Sequence, residues 1–174
     1  MLGMIRGSAL AAVLALATTA CTAGFMSDAA LAQDKERSAR TSSKTEKSTK
    51  TPKTHKIAIQ MSDDKPEQMN LALNNARNIV EHYKALGENV QIEIIAYGPG
   101  LNMLRSDTSP VKQRVAQMSL ESPNIVFAAC ANTHTNMQKR EEKPITLLSE
   151  AKIVPSGVVR LAELQRQGWS YIRP

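Results

Sequence analysis

The clearest chemical potential in this sequence lies at one thiol, Cys130. It ends the segment 124–130 (NIVFAAC), which is continuously apolar after Asn124. A helix is predicted to start directly after this run, so the sulfur would face the N–H groups of its first turn. A helix end contributes about 0.3–1 kcal/mol, which lowers a thiol pKa by less than about one unit. A strong nucleophile therefore needs a further cation, and the candidates are His134, one helical turn away, and Arg105 and Arg160, which the fold could bring close.

These residues also have structural interpretations, which the sequence leaves open. A cysteine at a strand end can be a small buried hydrophobic residue, and His134 can be an ordinary surface residue. Cys130 and His134 supply two ligands, too few for zinc, so we expect no metal. The sequence contains no G-x-S-x-G, P-loop or G-x-G-x-x-G motif, so we expect no cofactor.

The first 54 residues are predicted to lie outside the folded domain. Arg6 precedes an apolar stretch of 10 residues, 8–17, and Ala30-Leu31-Ala32 forms an A-x-A cleavage site. This pattern is typical of a secretory signal peptide, here over residues 1–32. Residues 33–54 are rich in Ser, Thr and Lys without hydrophobic periodicity, which predicts a disordered basic linker.

Export would place the protein in the periplasm and leave Cys130 as the single cysteine of the mature chain. No intramolecular disulfide could then form, and an unpaired thiol in an oxidising compartment is either inert or kept for chemistry. Cys21 directly follows the apolar stretch, although Thr18-Thr19-Ala20 is a poor lipobox. Lipid anchoring through Cys21 stays open as the alternative to a soluble form.

The charge of the chain does not indicate a nucleic-acid-binding protein. The net charge is +6, but residues 55–174 hold 14 Lys and Arg against 12 Asp and Glu, a balance of only +2. A nucleic-acid-binding module needs a basic face, often with stacking aromatic residues, and this chain has two Phe, three Tyr and one Trp. No apolar run reaches 18 residues, so no transmembrane segment is expected.

Strand-like and helix-like patterns alternate from His55 onward. Strands are predicted over 56–61, 90–94, 124–130, 151–154 and 169–172, and helices from near Pro66, Ser109, Asn132 and Gly157, with a short helical piece over 101–105. This order predicts an α/β fold of three layers, with a five-stranded, mainly parallel sheet and helices on both faces. The alternation of Val90, Ile92 and Ile94 with polar residues indicates a half-exposed strand, as at an edge, whereas 124–130 reads as central.

Ligands of open α/β sheets bind beyond the carboxyl ends of the strands. The residues at or near those ends are candidates for binding: Tyr97, Gly98, Gly100, Asn132, Thr133, His134, Ser156 and Gly157. Helix capping is the competing explanation for Asn132 and Thr133, and also for Asp63 and Asp64 before the first helix.

Several segments together carry a family resemblance: His55–Ala76, Ala96–Leu101, Phe127–Thr133, Val154–Arg160 and Gly168–Tyr171. With them, the domain over residues 55–174 resembles the DsrE/DsrF-like (YchN-like) family, in its exported branch. The resemblance implies a parallel five-stranded sheet, assembly into trimers or hexamers, and sulfur transfer through a cysteine persulfide. The cysteine of the family falls on Cys130. The Gly-Asn-Thr that follows it in related sequences is here Ala131-Asn132-Thr133. Alanine can adopt fewer backbone conformations than the glycine it replaces.

The sequence thus predicts an exported sulfur carrier or thiol-redox accessory protein, with Cys130 as the catalytic residue and a sulfur donor or acceptor protein as its partner. Whether it acts as an enzyme stays open, because no complete catalytic constellation is present. The alternative is a non-catalytic oligomeric binding or scaffold protein in which Cys130 is a buried structural residue.

Overall fold

The computed structural model of this protein describes residues 52–174. The predicted signal peptide, 1–32, and all but the last three residues of the predicted linker, 33–54, lie outside the described residues. The first strand begins at Thr54, one residue before the expected domain start. Among residues 52–174, no helix combines the length and the apolar character needed to cross a membrane.

Five strands alternate with helices along the described chain, as the sequence predicts. The strands are β1 (Thr54–Met61), β2 (Asn89–Ala96), β3 (Ile125–Cys130), β4 (Ala151–Val154) and β5 (Ser170–Ile172). The helices are α1 (Pro66–Ala85), a 3₁₀ helix (Gly98–Leu104), α2 (Lys112–Glu121), α3 (Ala131–Glu141) and α4 (Gly157–Arg166).

All strand pairs are parallel, and the strand order is β4-β3-β2-β1-β5. From β1 to β4, each connection leads to the neighbouring strand on the same side, whereas the connection from β4 to β5 crosses back from one edge of the sheet to the other. Because crossovers between parallel strands are right-handed, this change of direction puts α4 on the opposite face of the sheet. α1, α2 and α3 therefore share one face and α4 covers the other, which confirms the predicted α/β class with helices on both faces.

The two faces differ in the size of their cores because successive strand residues point to opposite sides. On the three-helix face, Ile57, Ile59 and Met61 of β1 join a large buried cluster. On the α4 face, the small Ala58 and Ala128 let the helix approach closely. The buried leucines of α4, Leu161 and Leu164, complete this second cluster, and each contributes about 1.5–3 kcal/mol by its burial.

The predicted edge position of the second strand is wrong. β2 is the middle strand of the sheet, with β1 and β3 on either side. Its alternating polar residues suggested a solvent-exposed face, but one of them, Glu93, is buried and forms an ion pair. β3, predicted as central, is an interior strand next to β2.

Helix capping also differs from the prediction. The N-cap residue of α1 is Lys65, which makes no side-chain capping hydrogen bond. Asp63 accepts the backbone N–H of Lys65 at 2.9 Å. Within the described part of the chain, the Asp64 carboxylate accepts no backbone N–H. Asn132 and Thr133 are not caps either, because α3 begins at Ala131 and its N-cap residue is Cys130.

Candidate functional site

Cys130 lies where β3 passes directly into α3, as the last residue of the strand and the N-cap residue of the helix. Strand alternation puts its side chain on the same face as Ala128, which is the α4 face. The residue is 4% exposed, yet it belongs to neither apolar cluster. Its sulfur is therefore shielded from bulk solvent.

The sulfur is surrounded by hydrogen-bond donors. The backbone N–H of Thr133 donates to Sγ at 3.5 Å. Burial raises the pKa of the Cys130 thiol, but the Thr133 hydroxyl and the N–H groups of Gly157, Thr133 and Asn132 outweigh it and hold the pKa below its ordinary value. Gly157 is the first residue of α4, so the N-termini of two helices, α3 and α4, converge on one sulfur.

Thr133 connects the sulfur to the next strand end. Its Oγ1 accepts the backbone N–H of Gly98 at 3.0 Å, which leaves the hydroxyl hydrogen available to donate to Cys130. Gly98 has a φ of +52°, a conformation that glycine adopts at little cost. The loops after β2 and β3 are therefore tied together through one side chain.

The cations considered from the sequence are engaged elsewhere. His134 donates from Nε2 to the carbonyl oxygen of Ile145 at 2.7 Å. Arg105 and Arg160 are held by carboxylates, and the main causes of the pKa shift of Cys130 are burial and hydrogen bonds from Thr133, Gly157 and Asn132. Within the described chain, hydrogen bonds rather than a cation stabilise the thiolate.

Arg105 is the centre of a charge cluster on the three-helix side. Its guanidinium is 6% exposed and donates to Asp107 at 2.8 and 3.0 Å and to Glu141 at 2.6 and 3.0 Å. Hydrogen bonds from Arg105 hold the pKa of both carboxyls below their ordinary values, and the same contacts raise the pKa of Arg105. Because four of its N–H donors already have acceptors, the role of this arginine is to hold Asp107 and Glu141 together.

A second ion pair fixes α4 to the sheet. Arg160 donates from Nε and Nη2 to the two carboxylate oxygens of Glu93, both at 2.7 Å. The hydrogen bonds that Arg160 donates to Glu93 raise the pKa of Arg160. A bidentate pair of this kind has a fixed orientation, and Arg160 lies in the first turn of the helix whose Gly157 N–H faces the sulfur.

A cavity of about 460 Å³ opens at the carboxyl edge of the sheet, next to Thr133. We call it the strand-end cavity. It is lined by Asp64, Gly98, Pro99, Asn102, Arg105, Thr133, Asn136, Met137 and Arg140. Cys130 is not among the lining residues, so Thr133 stands between the cavity and the sulfur.

The predicted site residues fall into two groups. Gly98 and Thr133 line the strand-end cavity, and Thr133, Asn132 and Gly157 surround the sulfur. Gly157 packs so closely on Tyr97 that an added Cβ would lie 2.9 Å from the tyrosine Cβ. The other predicted binding residues lie outside both groups and make other contacts within the fold.

Tyr97 packs against the α4 cluster, and its burial raises the pKa of the phenol. An added Cβ at Gly100 would lie 2.3 Å from the Met61 carbonyl oxygen, so this glycine permits close backbone packing. Ser156 lines a separate, smaller cavity beside α4, and His134 is bound to Ile145 as described.

Three cavity residues of α3, Asn136, Met137 and Arg140, were not predicted. They follow the predicted Thr133 at i+3, i+4 and i+7, a spacing that places all four on one helix face. That spacing is visible in the sequence and was the available signal. Asn102 and the burial of Arg105 depend on where the 3₁₀ helix lies, which no local pattern gives.

The fold and site define an α/β protein with a parallel five-stranded sheet and one hydrogen-bonded thiol at its carboxyl edge. No protein-family model matches the sequence, and no curated protein matches it. A solved structure does: a protein of unknown function, MTH1491, from Methanobacterium thermoautotrophicum, with a TM-score of 0.59 and 30% sequence identity. The match covers 69% of this chain and 99% of the archaeal protein. The chain therefore belongs to the same family as MTH1491.

Proposed function

We propose that this chain is a sulfur carrier in which Cys130 accepts a sulfane sulfur and holds it as a persulfide. The observation that carries the proposal is the convergence of Thr133 and of two helix N-termini on one sulfur atom. Donors that stabilise a thiolate also stabilise the anionic terminal sulfur of a persulfide. These hydrogen bonds already hold the pKa of the Cys130 thiol below its ordinary value, so no additional cation is invoked for this role.

The transfer step balances without a further reactant. The Cys130 thiolate attacks the outer sulfur of a donor persulfide, a new S–S bond forms, and the S–S bond of the donor breaks. The donor leaves as a thiolate, so no external oxidant or reductant is consumed. The reverse reaction, in which an acceptor thiolate attacks the terminal sulfur, regenerates Cys130.

Access to the sulfur requires local opening, because Cys130 is 4% exposed. The turn over residues 155–157 is the element to move, since Gly157 faces the sulfur, while the Arg160–Glu93 ion pair keeps the rest of α4 on the sheet. Loops with few buried contacts open at low free energy. A donor or acceptor protein that binds beside α4 would meet the sulfur there.

The resemblance to DsrE/DsrF-like proteins supports the same proposal and adds two elements to it. The first is a homo-oligomer, a trimer or hexamer. The second is action in the periplasm, which rests on the signal-peptide features over residues 1–32 and on the single cysteine expected after cleavage. N-terminal sequencing of the exported protein tests the second element, and an uncleaved chain would count against it.

The test of the proposal is persulfide-selective labelling of the purified full chain after exposure to a sulfane donor. Intact-mass analysis should show one added sulfur on a Cys21→Ser variant, in which Cys130 is the remaining thiol. The matched control, the Cys21→Ser/Cys130→Ser double variant, should show none. Equal labelling of the single and the double variant would end the proposal.

A second candidate function is a non-catalytic oligomeric scaffold, and the exposed apolar surface of α4 favours it. Val158 and Val159 are 61% and 51% exposed, and such side chains are often covered in an assembly. In this case the native Cys130 thiol should resist a thiol reagent and react only after unfolding. Rapid modification of the native protein would count against the scaffold.

A further inference from the structure

We propose that the strand-end cavity binds a small zwitterion, a free α-amino acid or a short peptide, through Arg140 and Asp64. The inference goes beyond the sulfur-carrier function and does not depend on it. The cavity volume of about 460 Å³ lies within the range of about 300–1,000 Å³ that is usual for small-molecule sites. Its place at the carboxyl ends of the strands is where open α/β sheets bind their ligands.

Two opposite charges line this cavity without being paired. The Arg140 guanidinium comes from α3 and the Asp64 carboxylate from the segment between β1 and α1. Neither side chain has a hydrogen-bond or ion-pair partner among residues 52–174. A guanidinium matches a carboxylate and can bind it through two parallel hydrogen bonds, while a free carboxylate matches an ammonium group. An α-amino acid carries both groups.

Arg105, the third charged residue that lines the cavity, does not change this balance of one positive and one negative charge. Arg105 donates to Asp107 and to Glu141, so its charge is already neutralised. The cavity therefore offers one unpaired cation and one unpaired anion, which favours a zwitterion over a dianion. The remaining surface can hold a ligand's amide or side chain, because it combines polar and apolar groups, Asn102, Asn136, Met137 and Pro99.

The test uses two zwitterionic probes, the dipeptide glycylglycine and the amino acid S-methylcysteine, and the dianion succinate, titrated calorimetrically into the full chain. Neither zwitterion carries a thiol or disulfide that could exchange with Cys130, so the result is independent of persulfide labelling. At least one zwitterion should bind, and the two probes distinguish a peptide from a free amino acid. Arg140→Gln and Asp64→Asn should each weaken binding by on the order of tenfold or more.

The matched control is Arg166→Gln, which removes a cation from the last turn of α4, outside the cavity lining, and should leave the affinity unchanged. Arg140 and Asp64 are exposed, so their variants should fold. The inference is overturned if neither zwitterion binds, or if the Arg140 and Asp64 variants bind like the wild type. It is also overturned if succinate binds as tightly as the zwitterions.

Discussion

Replacing Thr133 by valine should raise the pKa of the Cys130 thiol, because the change removes a hydroxyl donor and keeps the shape of the side chain. A hydrogen bond to a charged group contributes about 1.5–3 kcal/mol, and one pKa unit corresponds to about 1.36 kcal/mol. The pKa should therefore rise by about one to two units. At pH values below the wild-type pKa, the thiolate fraction should fall about tenfold to a hundredfold.

The assay is the pH dependence of the alkylation rate of Cys130 by iodoacetamide in the folded protein. The midpoint of this profile reports the thiol pKa, whereas the absolute rate also depends on how often the shielded sulfur becomes accessible. Thr133→Ser is the matched control, because it keeps the hydroxyl. Its midpoint should stay near that of the wild type.

Thr133→Val should also cost about 1–3 kcal/mol in the free energy of unfolding. The reason is that the Gly98 N–H loses its acceptor, Thr133 Oγ1. Chemical denaturation measures this loss separately from the pKa. If the valine and serine variants share the wild-type midpoint to within about 0.3 units, the hydroxyl does not stabilise the thiolate and the reasoning is wrong.

Three further changes test the structural basis of the site by chemical denaturation. Arg160→Gln should cost more than Glu93→Gln, about 3–5 against about 1–3 kcal/mol, because it strands a buried carboxylate; equal costs would contradict the asymmetry. Gly100→Ala should cost about 3 kcal/mol or prevent folding, since the new Cβ would lie 2.3 Å from a backbone oxygen of β1; a neutral result would refute this packing. Asp107→Asn should destabilise the protein at pH 7, with the deficit shrinking below about pH 4. Arg105 lowers the pKa of Asp107, so the carboxylate contributes above its unfolded pKa and is lost as pH falls; a deficit that persists in acid would count against it.

The fold class was predictable because each element has a strong local pattern. The run that forms β3 is continuously apolar after Asn124, and Pro66 and Gly87 mark the start and end of the first helix. The position of β2 was not predictable from its own residues. Glu93 reads as a solvent-facing position in the alternation, and its partner Arg160 is 67 residues further along the chain.

The site was predictable in its location but not in its chemistry. The strand-end rule identified Cys130, Thr133 and Gly157 as neighbours at the carboxyl edge. The first-turn donors of α3 were expected from local order, whereas the approach of α4 to the same sulfur depends on the last crossover of the sheet. His134 was considered as a cation for Cys130 because it lies four residues further along the chain. In the structure its side chain donates to the carbonyl oxygen of Ile145, so closeness in sequence did not bring it to the sulfur.

The central claim is that converging N–H and O–H donors keep the Cys130 thiol ionisable although it is shielded from solvent. Its most direct test is the pKa of that thiol in the native wild-type protein, followed by thiolate absorbance during a pH titration, with Cys130→Ser as the blank. The donors around the sulfur predict a pKa below the value of about 8.5 for a free cysteine. A value above about 9 would show that burial dominates, and the sulfur-carrier proposal would lose its physical basis.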